Sequence, residues 1–194
     1  MMLSELSAVA DAALPVEEFK EHLRLGSGFA DGAVQDGLLR AHLRAAIAAI
    51  EARTAKVLLQ RSFELELAEW REAGAQALPV APVVEVSAVL TLDRHGTERS
   101  IPPERWRLLR DMHRPKLVAT GFILPGIPTG GAVRIGLLAG FGAWTDVPAD
   151  LRQATLMLAA QYYEDRPGTG AMPAAVQALV ERWRTVRTFG GAGR

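Results

Sequence analysis

The chain has no cysteine, no net charge and no long apolar run, and each absence excludes a class of protein. Without cysteine there are no disulfides, no thiolate metal ligands and no cysteine nucleophile. Its 22 basic and 22 acidic residues balance, so the chain as a whole is not an evident nucleic-acid binder. No apolar stretch approaches the roughly 18 residues that span a bilayer, and the first residues do not read as a signal peptide. These features predict a globular protein of a reducing cytoplasm.

Motifs that carry chemistry are also missing. The four histidines, His22, His42, His95 and His113, include no pair three to five residues apart, so no helix offers a two-histidine metal face. There is no GxSxG nucleophile elbow and no GxxxxGK[ST] phosphate loop. We therefore predict no catalytic, metal-binding or cofactor-binding residue, no cofactor, and no enzymatic activity.

Four segments show helical periodicity, two near each end of the chain. Residues 16–25 and 33–57 repeat apolar side chains at intervals of three and four, and Asp31 is the predicted N-cap of the longer one. Two more helices are predicted to begin near Thr145 and at Pro173. The two pairs are separated by about eighty residues of different character.

The middle of the chain changes to the period of two that marks β-strands. Phe63, Leu65 and Leu67 alternate with glutamates and predict a half-exposed strand that ends near Trp70. Further short strands are predicted at 84–92, 97–101, 106–109, 116–119 and 132–139.

This order of elements predicts an α+β fold. We expect a mostly helical core of two N-terminal and two C-terminal helices, with an inserted small antiparallel β region at about residues 61–140. Residues 1–188 are predicted to form a single domain. A flexible glycine-rich tail is predicted at residues 189–194.

The C-terminal segment has the composition of a contact surface. It combines arginines and aromatic residues, namely Arg182, Trp183, Arg184, Arg187, Phe189 and Arg194. Tryptophan and arginine are common anchors of protein interfaces. The same residues can bind nucleic acid through charge and stacking, and a core tryptophan beside solvated arginines gives the same pattern.

A second candidate surface is the glycine- and proline-rich segment at residues 121–131. It carries the apolar residues Phe122, Ile123 and Leu124. Apolar side chains on a loop either mark a contact surface or cover the core.

Several motifs follow one another in a specific order along the chain. The front reads LPVEEFKEHLR at residues 14–24, and the long helix closes with EART at residues 51–54. An extended LPVAPV segment follows at residues 78–83. The longest stretch, residues 133–168, opens with a strand that ends in the turn Gly140-Phe141-Gly142.

After that turn come the helix start VPADLRQA at residues 147–154 and the segment YYEDR at residues 162–166. In this order, the motifs resemble the head–tail connector (adaptor) family of tailed bacteriophages, which includes the adaptor of gene transfer agents. The resemblance extends from about residue 14 to residue 187.

The resemblance implies a structural protein with several partners. It implies a ring of copies, usually twelve, beneath the portal protein, with a stopper or tail-side protein below it. DNA passes through the channel without sequence-specific binding, and no membrane is involved. It implies a location at the head–tail junction of a phage or phage-like particle that is assembled in the bacterial cytoplasm.

The predicted partner interface has a C-terminal part and a loop part. It consists of Trp183, Arg184, Arg187, Phe189, Arg194, Phe122, Ile123 and Leu124. Acidic residues exceed basic ones over residues 1–72, and the reverse holds over residues 151–194. Unlike charge at the two ends suits a ring, in which two different faces of one subunit meet.

Two other functions are compatible with the sequence. One is a small nucleic-acid-binding module that uses the arginine-rich C-terminal helix, which strongly salt-dependent DNA affinity would favour. The other is a small-ligand or enzyme domain with a cleft between helices and sheet. Metabolite hits in a thermal-shift screen would favour that second function.

Overall fold

A computed structural model describes residues 1–25, 32–164 and 172–184, with helices toward both ends and two antiparallel sheets between them. The helices are α1 (Val16–His22), α2 (Gly32–Thr54), α3 (Ala149–Glu164) and α4 (Ala174–Glu181). The strands are β1 (Met2–Glu5), β2 (Arg61–Leu67), β3 (Ala75–Ala77), β4 (Val83–Leu92), β5 (Glu98–Ser100), β6 (Trp106–Leu109), β7 (Lys116–Ala119) and β8 (Ala132–Ala139). Within these described ranges, no helix is long and apolar enough to cross a membrane.

The larger sheet is built around β8. Its strand order is β1-β2-β8-β4-β5, and every neighbouring pair is antiparallel. Val133, Ile135 and Leu137 of β8 are buried, whereas the residues between them are half-buried. This alternation gives the sheet one face toward a core and one face toward solvent.

The smaller sheet has the order β3-β7-β6 and closes the other side of the same core. Leu117 of β7 and Leu78 just after β3 pack in one cluster with Phe63, Leu65 and Ile135 of the larger sheet. The two sheets therefore form a β unit with its own hydrophobic core.

The helices form a second core. Leu39, Leu43 and Ile50 of α2 pack with Leu151 and Leu158 of α3, and all five side chains are buried. Their spacings of four and seven residues place them on one face of each helix, in keeping with the helical period that predicted both helices.

The two cores are joined at the end of α2. Ala55 has the left-handed φ of 56°, which ends the helix one residue after Thr54. The chain then pairs with the segment before β4, because the Val57 N–H donates to the Ala81 carbonyl at 2.8 Å. The Gln60 N–H donates to the Gly142 carbonyl at 3.0 Å and holds the start of β2 to the turn after β8.

A partly buried ion pair reinforces this junction. The Arg61 guanidinium lies 2.6 Å from the Glu51 carboxylate of α2 and 3.0 Å from the Glu5 carboxylate of β1. The Arg61 and Glu51 side chains are only 9% and 13% exposed. Burial alone lowers the pKa of Arg61, but the hydrogen bonds and charges of Glu51 and Glu5 outweigh it and raise that pKa above its ordinary value.

The prediction of a mostly helical core with a small inserted β region is wrong. The chain is about 37% helical and 29% strand, and its two sheets bury a core separate from that of the helices. Two strands were not predicted, β1 at the N-terminus and the short β3. The single domain over residues 1–188 stays a prediction, and residues 189–194 lie outside the described part of the chain.

Candidate docking surfaces

The end of α4 is fixed to the rest of the helical core through Trp183. The indole Nε1–H donates to the Asp150 carboxylate at 2.7 Å, and Asp150 lies in the first turn of α3. The Trp183 ring also stands edge-on to Phe141, with ring centroids 5.7 Å apart. These contacts hold the end of α4 against the start of α3 and the turn after β8, and we call this cluster the Trp183 joint.

Arg182 and Arg184 lie beside the Trp183 joint on its solvent side. The Arg182 Nε lies 2.7 Å from the same Asp150 carboxylate oxygen, and its guanidinium sits 5.0 Å from the Trp183 ring centre. Arg184 pairs with Glu181 at 2.8 Å. Of the predicted C-terminal interface residues, Trp183 is half-buried and Arg184 is exposed, while Arg187, Phe189 and Arg194 lie outside the described residues.

The loop between β7 and β8 presents two apolar side chains to solvent. Phe122 is 100% exposed and Ile123 is 64% exposed, whereas the neighbouring Leu124 is buried in the core of the β unit. The three predicted loop residues are thus divided between solvent and core. We call Phe122 and Ile123 the apolar tip.

The apolar tip stands on an anchored base. The Leu124 N–H donates to the Ala73 carbonyl at 2.8 Å, and the Trp70 indole N–H donates to the Pro125 carbonyl at 2.7 Å. Before the tip, the Thr120 N–H donates to the Arg105 carbonyl at 3.1 Å. A loop that is held on both sides of an exposed aromatic residue loses little conformational entropy on binding, which favours tight docking.

The Trp183 joint and the apolar tip lie at opposite ends of β8. The loop enters β8 at Ala132, and Phe141 follows its last residue, Ala139. Eight residues at about 3.3 Å each make β8 itself roughly 26 Å long. The described residues of the predicted interface are therefore not brought together into one site: Trp183 and Arg184 lie at the helical end of the molecule, and Phe122 and Ile123 lie at the sheet end.

Sequence reasoning missed the charged outer faces of the two sheets. On the larger sheet, Arg134 lies 2.8 Å from Glu66 and 3.1 Å from Glu98, and these partners raise its pKa, the hydrogen bond to Glu66 most of all. On the smaller sheet, Arg107 and Lys116 point away from the core. The alternation of Glu64 and Glu66 with apolar residues in the sequence indicated a charged face on β2. The sequence did not indicate which strands lie beside β2 and extend that face.

One groove of about 490 Å³ lies between the β4–β5 hairpin and the loop before β8. Asp93, Arg99 and Arg105 are its charged residues. The Asp93 carboxylate accepts hydrogen bonds from the backbone N–H groups of Thr97 and His95, and these bonds lower its pKa. The Asp93 carboxylate therefore stabilises the turn between β4 and β5. Within the described ranges, no group of three or more His, Cys, Asp or Glu side chains is placed to hold a metal ion.

Solved structures of gene transfer agent (GTA) particles match the chain over nearly its whole length. The neck of an empty GTA particle computed with C6 symmetry contains a chain that is 55% identical, with a TM-score of 0.91. The neck of a native GTA particle computed with C12 symmetry contains one that is 52% identical, with a TM-score of 0.86. A chain in the virion of a native GTA particle is 55% identical, with a TM-score of 0.89. Each match covers 98% of this chain and 99% of the other.

The chain matches no protein-family model and no curated protein sequence. The similarity to the GTA particle chains is therefore the comparison on which its relationship rests.

Proposed function

We propose, because the chain belongs to the head–tail connector (adaptor) family of tailed bacteriophages and gene transfer agents, that it is a structural subunit whose copies form a ring beneath the portal of such a particle. The ring joins the head to the tail and leaves a central channel for DNA. The protein is a component of the virion neck and is assembled in the bacterial cytoplasm. Its role is structural rather than enzymatic.

The full-length similarity to chains of GTA necks is the observation that carries this proposal. One of those necks was computed with sixfold symmetry and another with twelvefold symmetry. Rotational symmetry repeats a chain around an axis, which supports a ring of this chain as well. Twelve copies satisfy both symmetries, and a dodecamer is the ring that we propose.

The separation of the two candidate surfaces supports a connector with two different partners. In this arrangement, the Trp183 joint directs the C-terminal residues, including Arg187 and Phe189, onto the portal or a neighbouring subunit. The apolar tip contacts the stopper or tail-side protein about one strand length away. DNA crosses the channel without sequence-specific contacts.

Electron microscopy of the protein mixed with the portal of its own particle tests the proposal. The expected result is a ring coaxial with the portal, with the separate protein as the reference. A stable mixture in which no ring joins the portal would overturn the proposal.

Deleting residues 184–194 should leave a folded protein that no longer joins the portal. Every described contact of the Trp183 joint other than the exposed Arg184–Glu181 pair remains in this variant, so circular dichroism should be unchanged. Co-sedimentation with the portal measures the loss. Unimpaired joining would show that the C-terminal residues are not the portal contact.

Replacing Phe122 and Ile123 with serine should abolish capture of the tail-side protein and leave the portal complex intact. Both side chains are exposed, so the variant should unfold at the same denaturant concentration as the parent. Loss of a central aromatic anchor weakens an interface by at least about tenfold. The measurement is pull-down of the tail-side protein by the preformed portal complex.

The tip variant and the C-terminal deletion serve as controls for each other, since each should lose a different partner. If both lost the same partner, the proposed orientation of the subunit would be wrong.

A further inference from the structure

The outer face of the larger sheet is acidic. Residues directly opposite each other in neighbouring antiparallel strands project to the same side. Arg134 lies opposite Glu66 on β2, and Gly136 lies opposite Glu64. Leu138 lies opposite Glu85 on β4. With Glu98 of β5 bonded to Arg134, four carboxylates share this face with one guanidinium.

These residues are accessible. The side chains of Glu64, Glu66 and Arg134 are about one third exposed, Glu98 is 51% exposed, and Glu85 is exposed. Their exposure shows that the described helices leave this side of the sheet open. We call the set Glu64, Glu66, Glu85, Glu98 and Arg134 the acidic face.

The outer face of the smaller sheet is basic. Arg107 lies opposite Val118, and Lys116 lies opposite Leu109, whereas Leu117 between them is buried. Arg107 and Leu109 are exposed, and the Lys116 side chain is 36% exposed. Its nearest carboxylate is Glu72 at 3.8 Å, at the edge of the sheet. We call the set Arg107, Leu109, Lys116 and Val118 the basic face.

The core that the two sheets share determines where the acidic face and the basic face lie relative to each other. Both sheets turn their apolar residues toward one cluster, so their outer faces point away from it on different sides of the β unit. One subunit thus carries two unlike charged faces with an apolar residue among the charges of each, Leu138 on one and Leu109 on the other.

We propose that the acidic face of one subunit docks on the basic face of the next copy in the ring. This inference rests on the proposed function, because it assigns the contact by which the proposed ring closes. A closed ring requires two different surfaces of the same chain to meet. Opposite charge brings unlike faces together and separates like ones, which excludes the isologous pairing of two acidic or two basic faces.

A second copy fits both faces better than DNA does. DNA is polyanionic and would be repelled by the acidic face, so a DNA contact would account for the basic face alone. A neighbouring subunit accounts for both faces at once.

Two charge-reversal variants test the contact. In the first, Glu64→Lys and Glu85→Lys make the acidic face net positive while leaving Arg134 bonded to Glu66 and Glu98. In the second, Arg107→Glu and Lys116→Glu make the basic face negative. Each variant presents two faces of like sign, so each alone should assemble on the portal at least about tenfold more weakly than the parent.

Mixing the two variants in equal amounts should restore the ring. Alternating copies then pair a positive face with a negative face at every contact, and an even-numbered ring can close. Ring occupancy on the portal is measured by electron microscopy, with circular dichroism to show that each variant is folded. Arg53→Glu with Arg94→Glu is the matched control for the second variant, since it makes the same charge change at exposed positions off both faces and should assemble like the parent.

Rings formed normally by either variant alone would overturn the inference, as would a mixture of folded variants that forms none. Normal rings that bind DNA more weakly would assign the basic face to DNA instead. If the parent itself forms no ring on the portal, it is the proposed function that fails. The two failures are therefore distinguishable.

Discussion

Replacing Arg61 with methionine should lower the free energy of unfolding by about 1.5–3 kcal/mol, the usual worth of hydrogen bonds to charged groups, because Glu51 loses two such bonds from this partly buried guanidinium. The substitution leaves the Glu51 carboxylate, 13% exposed, without the guanidinium 2.6 Å away. It also breaks the contact with Glu5 and so loosens β1 and α2 from the start of β2. Denaturant unfolding of the isolated chain measures the change.

Arg134→Met is the matched control for that experiment. Arg134 also contacts several carboxylates, but its side chain is 33% exposed. An ion pair that water can reach stabilises the fold little, so this variant should be nearly as stable as the parent. Equal effects of the two substitutions would show that the lower exposure of Arg61 does not make its ion pair more stabilising than that of Arg134.

Replacing Gly140 with alanine should lower the free energy of unfolding by about 2–5 kcal/mol, because it introduces backbone strain and a direct steric clash. Gly140 has φ of +130°, a conformation that residues with a Cβ rarely adopt. An added Cβ would lie 2.5 Å from the Gln60 Cα and 2.7 Å from the Gln60 backbone nitrogen. Backbone atoms cannot move aside as a flexible side chain can, so the turn between β8 and α3 must shift.

Gly121→Ala is the matched control for Gly140→Ala. Its φ is outside the left-handed region, and an added Cβ would meet no atom within 4 Å. This variant should change the free energy of unfolding by less than about 0.5 kcal/mol. A Gly140→Ala protein that unfolds at the same denaturant concentration as Gly121→Ala would contradict the proposed role of the turn.

The local elements could be predicted because their signals are local. The bounds of β6, β7 and β8 are confirmed, since each strand is a short run enclosed by turn residues. The long helix is confirmed too, although it ends at Thr54 rather than at Val57. Its end depends on the left-handed Ala55 and on pairing with Ala81, a contact that no helical periodicity reveals.

The missed strands and faces depend on partners far away in the sequence. Met2–Glu5 is a strand because β2 lies beside it, about sixty residues later. Ala75–Ala77 has no apolar alternation and is ordered by pairing with β7. The acidic face is visible on one strand as the alternation of Glu64 and Glu66, but its completion by Glu85 and Glu98 requires the strand order.

The candidate interface could be predicted only in part, because the exposure of its residues depends on contacts far away in the sequence. Composition alone indicated Trp183 and the segment with Phe122, and the structure puts them at two ends of one strand. Sequence could not divide Phe122 from Leu124, because the two differ in exposure only after the loop is anchored to Ala73 and Trp70.

The central position of β8 has a mechanical consequence for a connector. Tension applied between the apolar tip and the Trp183 joint would run along the axis of this strand. The hydrogen bonds of β8 to β2 and β4 lie perpendicular to that pull, so they are loaded in shear and must rupture together rather than one after another. A subunit built in this way resists being drawn apart lengthwise.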